Sequence, residues 1–431
     1  MLDVTKQSES KRADVPADGA PLRICILSYR SDPKVGGQGV YVDYLSHALA
    51  KAGAQVDVVS GPPYPELSAG VNLIKLPSLD LFSKPHHGHY ELRPRHLLSP
   101  TDTYEYFGHL SGKFVEPFTF GQRAFQYLKR HRAKYDVVLD NQTLAHGTGR
   151  VHTRLGLPLA TMIHHPITQD LKLAVEAAPD WKHRWLARRW YSFVNMQIKV
   201  ARRLPAITCP SEHAKADIVR EFGVSPERIH PISLGVDQQA FCPDPSVHIS
   251  PKKIVTTASA DTPLKGLHIL VDAYHKLLGT HPELQLVVIG KLRKGQARKA
   301  ILDLGLKDRV VFKSDLTREE LANEFRSATV AVTPSLYEGF GLPAAEAMSC
   351  GTPVIVTDGG ALPEVAGDAG IIVPKGDPNA LAEAIDGLVS NSERRSQLAQ
   401  ACLKRAKAQF NWDSIAPKYL DFFRAAMAAQ C

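Results

Sequence analysis

No apolar run in the 431-residue sequence approaches the roughly 20 residues that a membrane-spanning helix needs. The polar residues 1–20 also lack the apolar core of a secretory signal and are expected to form a disordered leader. The six cysteines are scattered without a C-x-x-C pair, which disfavours both a zinc site and a disulfide framework. These absences favour a soluble protein of the reducing cytoplasm.

Basic residues outnumber acidic ones, which gives a formal charge of +8 at pH 7, and they are not confined to a tail. Such a charge can attract nucleic acid, an anionic membrane surface or phosphorylated small molecules. No nucleic-acid-binding signature accompanies it, so we expect no nucleic-acid partner. The densest basic stretch, residues 182–203, also carries Trp185, Trp190, Tyr191 and Phe193. It fits either a helix at a membrane surface or an ordinary surface helix whose aromatic side chains face the core.

The length and the order of the predicted elements indicate two α/β domains. A chain of 431 residues is too long for one ordinary core, and short apolar strands alternate with helical patterns in both halves. That alternation is typical of parallel sheets covered by helices on both faces. We predict doubly wound, Rossmann-like domains over 21–205 and 206–409, and a helix over 410–431 that packs back on the first domain. Residues 61–120 show little periodicity and are expected to be functional or disordered.

An eleven-residue stretch, EGFGLPAAEAM at 338–348, joins a predicted strand to a predicted helix. Gly339 and Gly341 would let the backbone approach a ligand closely, and Pro343 suits the first position of the helix. Free amides at the start of such a helix bind anions such as phosphate. The stretch therefore predicts a phosphate-binding turn.

Two glutamates, Glu338 and Glu346, flank this turn. Carboxylates beside a phosphate are unfavourable unless they accept hydrogen bonds from neutral hydroxyl groups. A nucleotide sugar offers a diphosphate to the amides, and sugar and ribose hydroxyls to the glutamates. A plain strand-to-helix turn with two surface glutamates is the alternative. Lys265 follows another predicted strand, and its ammonium could neutralise a departing diphosphate at the same edge of the sheet.

Residues 338–348 resemble the E-x7-E signature of the family-4 (group 1) retaining glycosyltransferases, and the similarity continues through residues 349–376. It covers most of the second half of the chain. The resemblance implies the GT-B fold, in which two Rossmann-like domains face each other across a cleft. It also implies a donor-sugar contact for Glu338, a ribose contact for Glu346, and diphosphate contacts for the amides of Phe340, Gly341 and Leu342.

The chain departs from this family about six residues before Lys265. Most members carry an arginine there, whereas this sequence has Ser259 and Ala260. Arg293 is our candidate to supply the missing charge. No two aspartates are spaced D-x-D, the pattern by which metal-dependent glycosyltransferases hold a divalent cation on the donor. We therefore expect neither a metal nor a cofactor.

The first half supplies a glycine-rich loop and a pair of histidines. Gly36, Gly37 and Gly39 resemble the family's loop that faces the donor phosphate and the acceptor, and their spacing disfavours a dinucleotide-binding dehydrogenase. His164 stands where the family often has a histidine near the donor sugar. His165 stands where many relatives have an aspartate. Two loop histidines with ordinary hydrogen bonds are the alternative.

A second group of histidines, at 86, 87 and 89, raises the question of a metal site. The neighbouring Pro85 and Gly88 favour a solvated loop instead. No metal ligand is assigned to this group.

The expected reaction is transfer of a hexosyl group, with retention at the anomeric carbon, from a UDP- or GDP-type sugar to a saccharide or lipid-linked acceptor. The acceptor hydroxyl would attack from the leaving-group face while a diphosphate oxygen helps to take its proton. A GT-B-like nucleotide-sugar epimerase and a catalytically silent carbohydrate-binding homologue are the alternatives. We expect a cytoplasmic enzyme of polysaccharide or glycolipid biosynthesis, peripheral at the inner face of the membrane if residues 182–203 form an interfacial helix.

Overall fold

The chain folds into two parallel β-sheets that are covered by helices. The computed structural model describes residues 20–32, 37–81, 83, 92–176, 178–258, 263–293 and 295–430. Several central strands are short runs of mainly aliphatic and β-branched residues that are buried from end to end, as expected for strands covered on both faces. The prediction of two doubly wound domains is confirmed. The predicted leader lies outside the described residues except for Ala20.

The first sheet consists of β1 (Arg23–Ser28), β2 (Gln55–Ser60), β3 (Asn72–Lys75), β4 (Val137–Asn141), β5 (Leu159–Met162), β6 (Ala206–Cys209) and β7 (Ile229–Pro231). Its strands lie in the order β3-β2-β1-β4-β5-β6-β7 and are all parallel. The order reverses between β1 and β4, where Ile24 lies opposite Val137. The loops that follow these two strands flank the crevice where doubly wound sheets bind ligands.

The second sheet consists of β8 (Lys253–Thr257), β9 (Gln285–Ile289), β10 (Val310–Lys313), β11 (Val330–Thr333), β12 (Val354–Thr357) and β13 (Ile371–Val373). Their alternation with helices agrees with the pattern predicted for this half of the chain. They lie in the order β10-β9-β8-β11-β12-β13, and the reversal falls between β8 and β11. Val330 lies opposite Ile254 at this point.

Helices connect the strands of both sheets. Those of the first domain are α1 (Gly37–Lys51), α2 (Pro94–Leu97), α3 (Pro100–Leu110), α4 (Glu116–His131), α5 (His146–Leu155), α6 (Thr168–Glu176), α7 (Trp181–Trp190), α8 (Val194–Ala201) and α9 (Glu212–Phe222). Those that follow are α10 (Leu267–Leu277), α11 (Gln296–Asp303), α12 (Arg318–Arg326), α13 (Leu342–Ser349), α14 (Leu362–Ala366), α15 (Pro378–Val389), α16 (Ser392–Gln409) and α17 (Trp412–Ala428). Within the described ranges, none of these helices is both long and apolar enough to cross a bilayer.

The sheet topology corrects the domain boundary predicted at 205/206. β6 and β7, which the sequence analysis placed in the second domain, continue the first sheet, and Ala206 lies opposite Ala160 of β5. The first sheet therefore ends at Pro231, and the second begins at Lys253. A short apolar strand carries little local information about which sheet it joins, because tertiary contacts choose its partner.

The C-terminal helix returns to the first domain, as predicted. In β5 the Leu159 amide donates a hydrogen bond to the Gln430 side chain at 2.9 Å. The hydroxyl of Tyr41 in α1 donates to the hydroxyl of Tyr419 in α17 at 3.2 Å. Tyr419 and its apolar neighbours in α17 belong to a core cluster that both domains share. This helix therefore ties the second domain to the first.

Residues 61–120 contain regular structure, namely β3, α2, α3 and the start of α4. Arg123 of α4 forms ion pairs with Asp102 at 2.5 Å and with Glu105 at 2.6 Å, and both acids lie on α3. These pairs hold α3 against the body of the first domain. Residues 82 and 84–91 lie outside the described ranges, and so does the histidine group at 86, 87 and 89.

Residues 182–203 do not form one helix with one buried stripe. The segment divides into the greater part of α7, a turn of 3-10 helix and α8. Trp190 and Phe193 pack against Phe114, with ring centroids 5.2 and 5.4 Å apart. Trp185, by contrast, is 54% exposed. The segment from Trp190 onward therefore agrees with an ordinary surface helix, and the part of α7 before Trp190 does not.

Candidate active site

Two loops at the carboxyl edge of the second sheet bring the predicted donor-side residues together. Lys265 lies between β8 and α10, and Glu338 lies between β11 and α13. Because β8 and β11 are neighbours at the reversal of the strand order, the loops that follow them meet over one crevice. The Leu336 amide donates to the Leu264 carbonyl at 2.8 Å, which joins the two loops directly.

Lys265 and Glu338 form an ion pair in which Nζ lies 2.6 Å from Oε1. The Ser335 hydroxyl donates to the same oxygen at 2.8 Å. The side chains of Lys265 and Glu338 are 31% and 14% exposed, so the pair is largely sheltered from solvent. Both contacts use Oε1, which leaves Oε2 without a protein donor among the residues described. This oxygen can accept a hydrogen bond from a ligand hydroxyl.

The start of α13 presents backbone amides near this pair. Gly341 precedes the helix with a φ of 108°, a conformation that favours glycine. Over the described parts of the chain, no acceptor is recorded for the amides of Phe340, Gly341 and Leu342. The Phe340 ring is buried against Phe410, with centroids 5.8 Å apart, and so fixes the turn. Unpaired amides at a helix N-terminus attract an anion, and the Lys265 ammonium adds positive charge nearby.

Glu346 lies one helical turn into α13 and is 6% exposed. From the residues that the structure describes, no hydrogen-bond donor reaches its carboxylate. Burial raises the pKa of Glu346 to about 8; the guanidinium of Arg318 opposes this shift, and Asp237 adds to it. A buried carboxyl group without a protein donor is costly, and the hydroxyls of a ribose would satisfy it.

We expect nucleotide binding at pH 7 to release a proton from Glu346. With a pKa of about 8 the unliganded carboxyl is mostly protonated at this pH, and hydrogen bonds from ribose hydroxyls favour the ionised form. Binding therefore lowers the pKa, and the affinity for a nucleoside diphosphate should rise with pH between about 6 and 8, by at most about tenfold per unit. Calorimetric titration in buffers of different ionisation enthalpy counts the released protons.

The matched control for this measurement is Glu346→Gln, which keeps the size of the side chain but cannot ionise. Subtracting its proton release removes the contribution from the nucleotide's own phosphate. Equal proton release by the variant and the unmodified protein would contradict the assignment of Glu346 to the ribose.

His164 reaches the crevice from the carboxyl end of β5. Its Nε2 lies 2.8 Å from Oδ1 of Asn141, and its amide donates to Oε1 of Gln142 at 2.7 Å. The rings of Tyr41 and His164 meet edge to face, with centroids 4.7 Å apart. Burial, with a further contribution from His165, lowers the pKa of His164 to about 3. The ring is therefore neutral near pH 7; when Nε2 carries the proton and donates to Asn141, Nδ1 can accept a hydrogen bond from a sugar hydroxyl.

His165 faces the second domain. Its Nε2 lies 3.1 Å from Oδ2 of Asp170, and its ring lies 6.3 Å from that of Tyr337, the residue before Glu338. The structure thus brings both predicted histidines to the wall opposite the donor loop. A contact between either histidine and the donor sugar stays a prediction.

The glycine-rich loop of the first domain leads into α1 at Gly37, and its residue Gly36 lies outside the described ranges. Gly39 is buried, and a Cβ there would lie 2.3 Å from the carbonyl oxygen of Asp32. The close approach of α1 to the end of the β1 loop therefore needs glycine at this position. The contacts predicted for Gly37 and Gly39 with the substrates stay predictions.

Arg293 is exposed in the loop after β9, and β9 lies two strands from β11. It stands at the carboxyl edge of the second sheet, and no ion pair joins it to another described residue. Residues 259–262, where the family arginine is missing, lie outside the described ranges. The compensating role of Arg293 stays a prediction.

Sequence reasoning missed several polar residues that organise the site, namely Asn141, Gln142, Ser335 and Tyr337. Asn141 and Ser335 end or closely follow buried strands, which is a signal that could have found them. Gln142 has a φ of 54°, a conformation uncommon outside glycine that no sequence pattern predicted.

The two parallel sheets covered by helices, with a glycine-containing turn and two glutamates at one crevice, have the architecture of the GT-B class of glycosyltransferases. Residues 243–405 match the family described as glycosyl transferases group 1, and residues 35–240 match glycosyltransferase family 4. The chain belongs to the group 1, family-4 glycosyltransferases.

Individual relatives agree with this membership. The chain is 41% identical over 413 residues to the MMP alpha-(1->4)-mannosyltransferase of Mycolicibacterium hassiacum, covering 94% of this chain and 99% of that protein. It is 28% identical over 441 residues to a D-inositol 3-phosphate glycosyltransferase of Xylanimonas cellulosilytica, covering 94% and 97%. Sucrose-phosphate synthase from Thermosynechococcus elongatus has the same fold, with a TM-score of 0.71 at 24% identity over 94% of this chain and 100% of that one.

Proposed function

We propose that the protein transfers a mannosyl group from a nucleoside diphosphate sugar of the UDP or GDP type to a hydroxyl of a saccharide or lipid-linked acceptor. The observation that carries this proposal is the Lys265–Glu338 ion pair beside the unpaired amides of residues 340–342. In this proposal the amides and the ammonium hold the diphosphate. Oε2 of Glu338 and the carboxylate of Glu346 accept hydrogen bonds from the donor sugar and from the ribose.

The choice of mannose rests on the relative from Mycolicibacterium hassiacum, whose name states an alpha-(1->4)-mannosyltransferase and which this chain matches along almost its whole length. A nucleoside diphosphate mannose carries its diphosphate in the α configuration. Formation of an α linkage therefore corresponds to retention at the anomeric carbon. In the reaction that we propose, the acceptor hydroxyl attacks from the leaving-group face and a diphosphate oxygen takes its proton.

Glu338 is proposed as a ligand for a sugar hydroxyl and not as a covalent nucleophile, because Lys265 and Ser335 already hold one of its oxygens. Lys265 would neutralise the charge that develops on the departing diphosphate. We propose that the reaction needs no divalent metal, since the sequence has no D-x-D pair and the amides and Lys265 are the groups available to bind the diphosphate.

Incubation of the protein with GDP-mannose or UDP-mannose and a short α-(1→4)-linked mannooligosaccharide tests this proposal. We expect an α-linked product by NMR, stoichiometric release of the nucleoside diphosphate, and the same rate with a chelator present. A β-linked product would refute retention, and loss of activity with the chelator would refute metal independence. A second reaction contains the donor without acceptor. An epimerase would convert the donor in this reaction, whereas a catalytically silent homologue would form no product with or without the acceptor.

We also propose that α7 contacts an anionic membrane surface. Trp181 and Trp185 are 71% and 54% exposed, and Arg184 and Arg188 are exposed on the same helix. Exposed tryptophan together with arginine is typical of helices that lie at a bilayer surface. Sedimentation with phosphatidylglycerol vesicles should therefore exceed that with zwitterionic vesicles.

The charge-reversed variant Arg184→Glu/Arg188→Glu should lose this sedimentation. Arg394→Glu, on the exposed face of α16, is the matched control and should retain it. Binding that does not depend on anionic lipid would contradict the proposal.

A further inference from the structure

Helix α9 of the first domain contacts the loop that carries Glu338. The hydroxyl of Tyr337 donates to Oδ2 of Asp217 at 2.7 Å. The hydroxyl of Ser211, at the start of the helix, donates to the carbonyl of Gly339 at 3.1 Å. The residues immediately before and after Glu338 are therefore both bound to the same helix of the opposite domain.

A further contact comes from Glu364 in α14. Its two carboxylate oxygens accept hydrogen bonds from the amides of Glu212 and His213, at 2.9 and 2.7 Å. A carboxylate is favourable at this end of a helix because the N-terminal amides carry partial positive charge. The second domain thus contacts α9 both at its first turn and at Asp217, farther along the helix.

The backbone and side chain around Glu338 have little room to move in this arrangement. The Tyr337 ring has the His165 and His213 rings as neighbours, with centroids 6.3 and 6.1 Å away. At Gly339, a Cβ would lie 2.7 Å from the carbonyl oxygen of His164, so the two domains touch here backbone to backbone. The orientation of the Glu338 carboxylate therefore depends on how the first domain holds its neighbours.

We propose that Tyr337 and Asp217 are positioning residues whose hydrogen bond across the crevice fixes the Glu338 carboxylate for sugar transfer. This proposal rests on the function proposed above. Asp217 is 1% exposed and also pairs with Arg220 and, at 3.5 Å, with His213 on its own helix. Removing the Tyr337 hydroxyl therefore leaves the buried carboxylate with partners, and the first domain keeps its own interactions.

Tyr337→Phe is the variant that tests the proposal. We expect its kcat to fall by roughly 10- to 100-fold, the effect of losing one hydrogen bond to a charged group when the bond acts on the transition state. The melting temperature and the affinity for the nucleoside diphosphate should stay unchanged, because the variant leaves Lys265 and the amides of residues 340–342 in place. Tyr127→Phe is the matched control, since the Tyr127 hydroxyl bonds Tyr135 at 2.9 Å within the first domain.

A kcat equal to that of the unmodified protein would overturn the proposal. So would a loss of activity that follows a lowered melting temperature, because this would make the hydrogen bond merely structural. Hydrogen–deuterium exchange gives a readout that does not need catalysis: the amides of residues 335–341 should exchange faster in the Tyr337→Phe variant than in the unmodified protein, and unchanged exchange would count against the positioning role. If the unmodified protein transfers no sugar, the proposed function fails, and the exchange result still decides whether this hydrogen bond holds the loop around Glu338.

Discussion

Replacing Glu338 with alanine should lower kcat by roughly 100-fold or more, the scale that follows the loss of one positioned polar group in an active site. The side chain is 14% exposed and has one carboxylate oxygen without a protein donor among the described residues. That oxygen is therefore free to bind a sugar hydroxyl. Steady-state assays at saturating donor and acceptor measure the change.

Two further variants separate the catalytic contact from its surroundings. Glu338→Gln keeps an oxygen that can accept a hydrogen bond but loses the pairing with Lys265, so its kcat should lie between those of the alanine variant and the unmodified protein. Glu383→Ala, on the exposed face of α15, removes a glutamate that has no hydrogen bond or ion pair with the described residues, and this variant should have normal activity. Near-normal transfer by Glu338→Ala would refute the role of this residue.

The chemistry of the donor side could be predicted from the sequence because it is local. A strand, a glycine-containing turn and a helix lie within a few residues of each other around Glu338, and strand ends in a parallel sheet share one edge. That rule alone predicts that Lys265, 73 residues earlier in the chain, lies at the same crevice as Glu338.

Sheet membership and contacts between domains could not be predicted in this way. β6 looks like any other buried strand, and only its pairing with β5 assigns it to the first sheet. Tyr337 and Asp217 are 120 residues apart and belong to different domains, so no spacing relates them. The tyrosine hydroxyl and the aspartate gain a common function only when the two sheets face each other.

The protonation states of two predicted site residues could not be read from the sequence pattern. The sequence predicted that Glu346 and His164 bind the substrate, and it could not predict their protonation. Burial raises the pKa of Glu346 to about 8 and lowers that of His164 to about 3, so both groups are held mainly in the neutral form near pH 7. The neutral His164 ring can exchange hydrogen bonds with a sugar at a small desolvation cost, whereas Glu346 is expected to ionise when ribose hydroxyls donate to its carboxylate.

Lys265→Ala should cause the second large loss, with kcat lower by roughly 100- to 1,000-fold. Its ammonium is the cation seen beside the unpaired amides at the start of α13 within the described residues, and negative charge grows on the diphosphate as the glycosidic bond breaks. The affinity for a nucleoside diphosphate should fall as well, and the difference should shrink at high salt because screening weakens charge interactions. Lys404→Ala, on the exposed face of α16, is the matched control.

The double variant Lys265→Ala/Glu338→Ala decides what the lysine does. If Lys265 serves only to orient Glu338, the double variant should be no slower than Glu338→Ala, because the lysine then acts through the glutamate. If the ammonium neutralises the diphosphate, as we propose, the two losses act on different parts of the donor and should approach additivity. Since the two side chains are in contact, a moderate coupling is expected in either case, and only a double variant clearly slower than both single variants supports the direct role of Lys265.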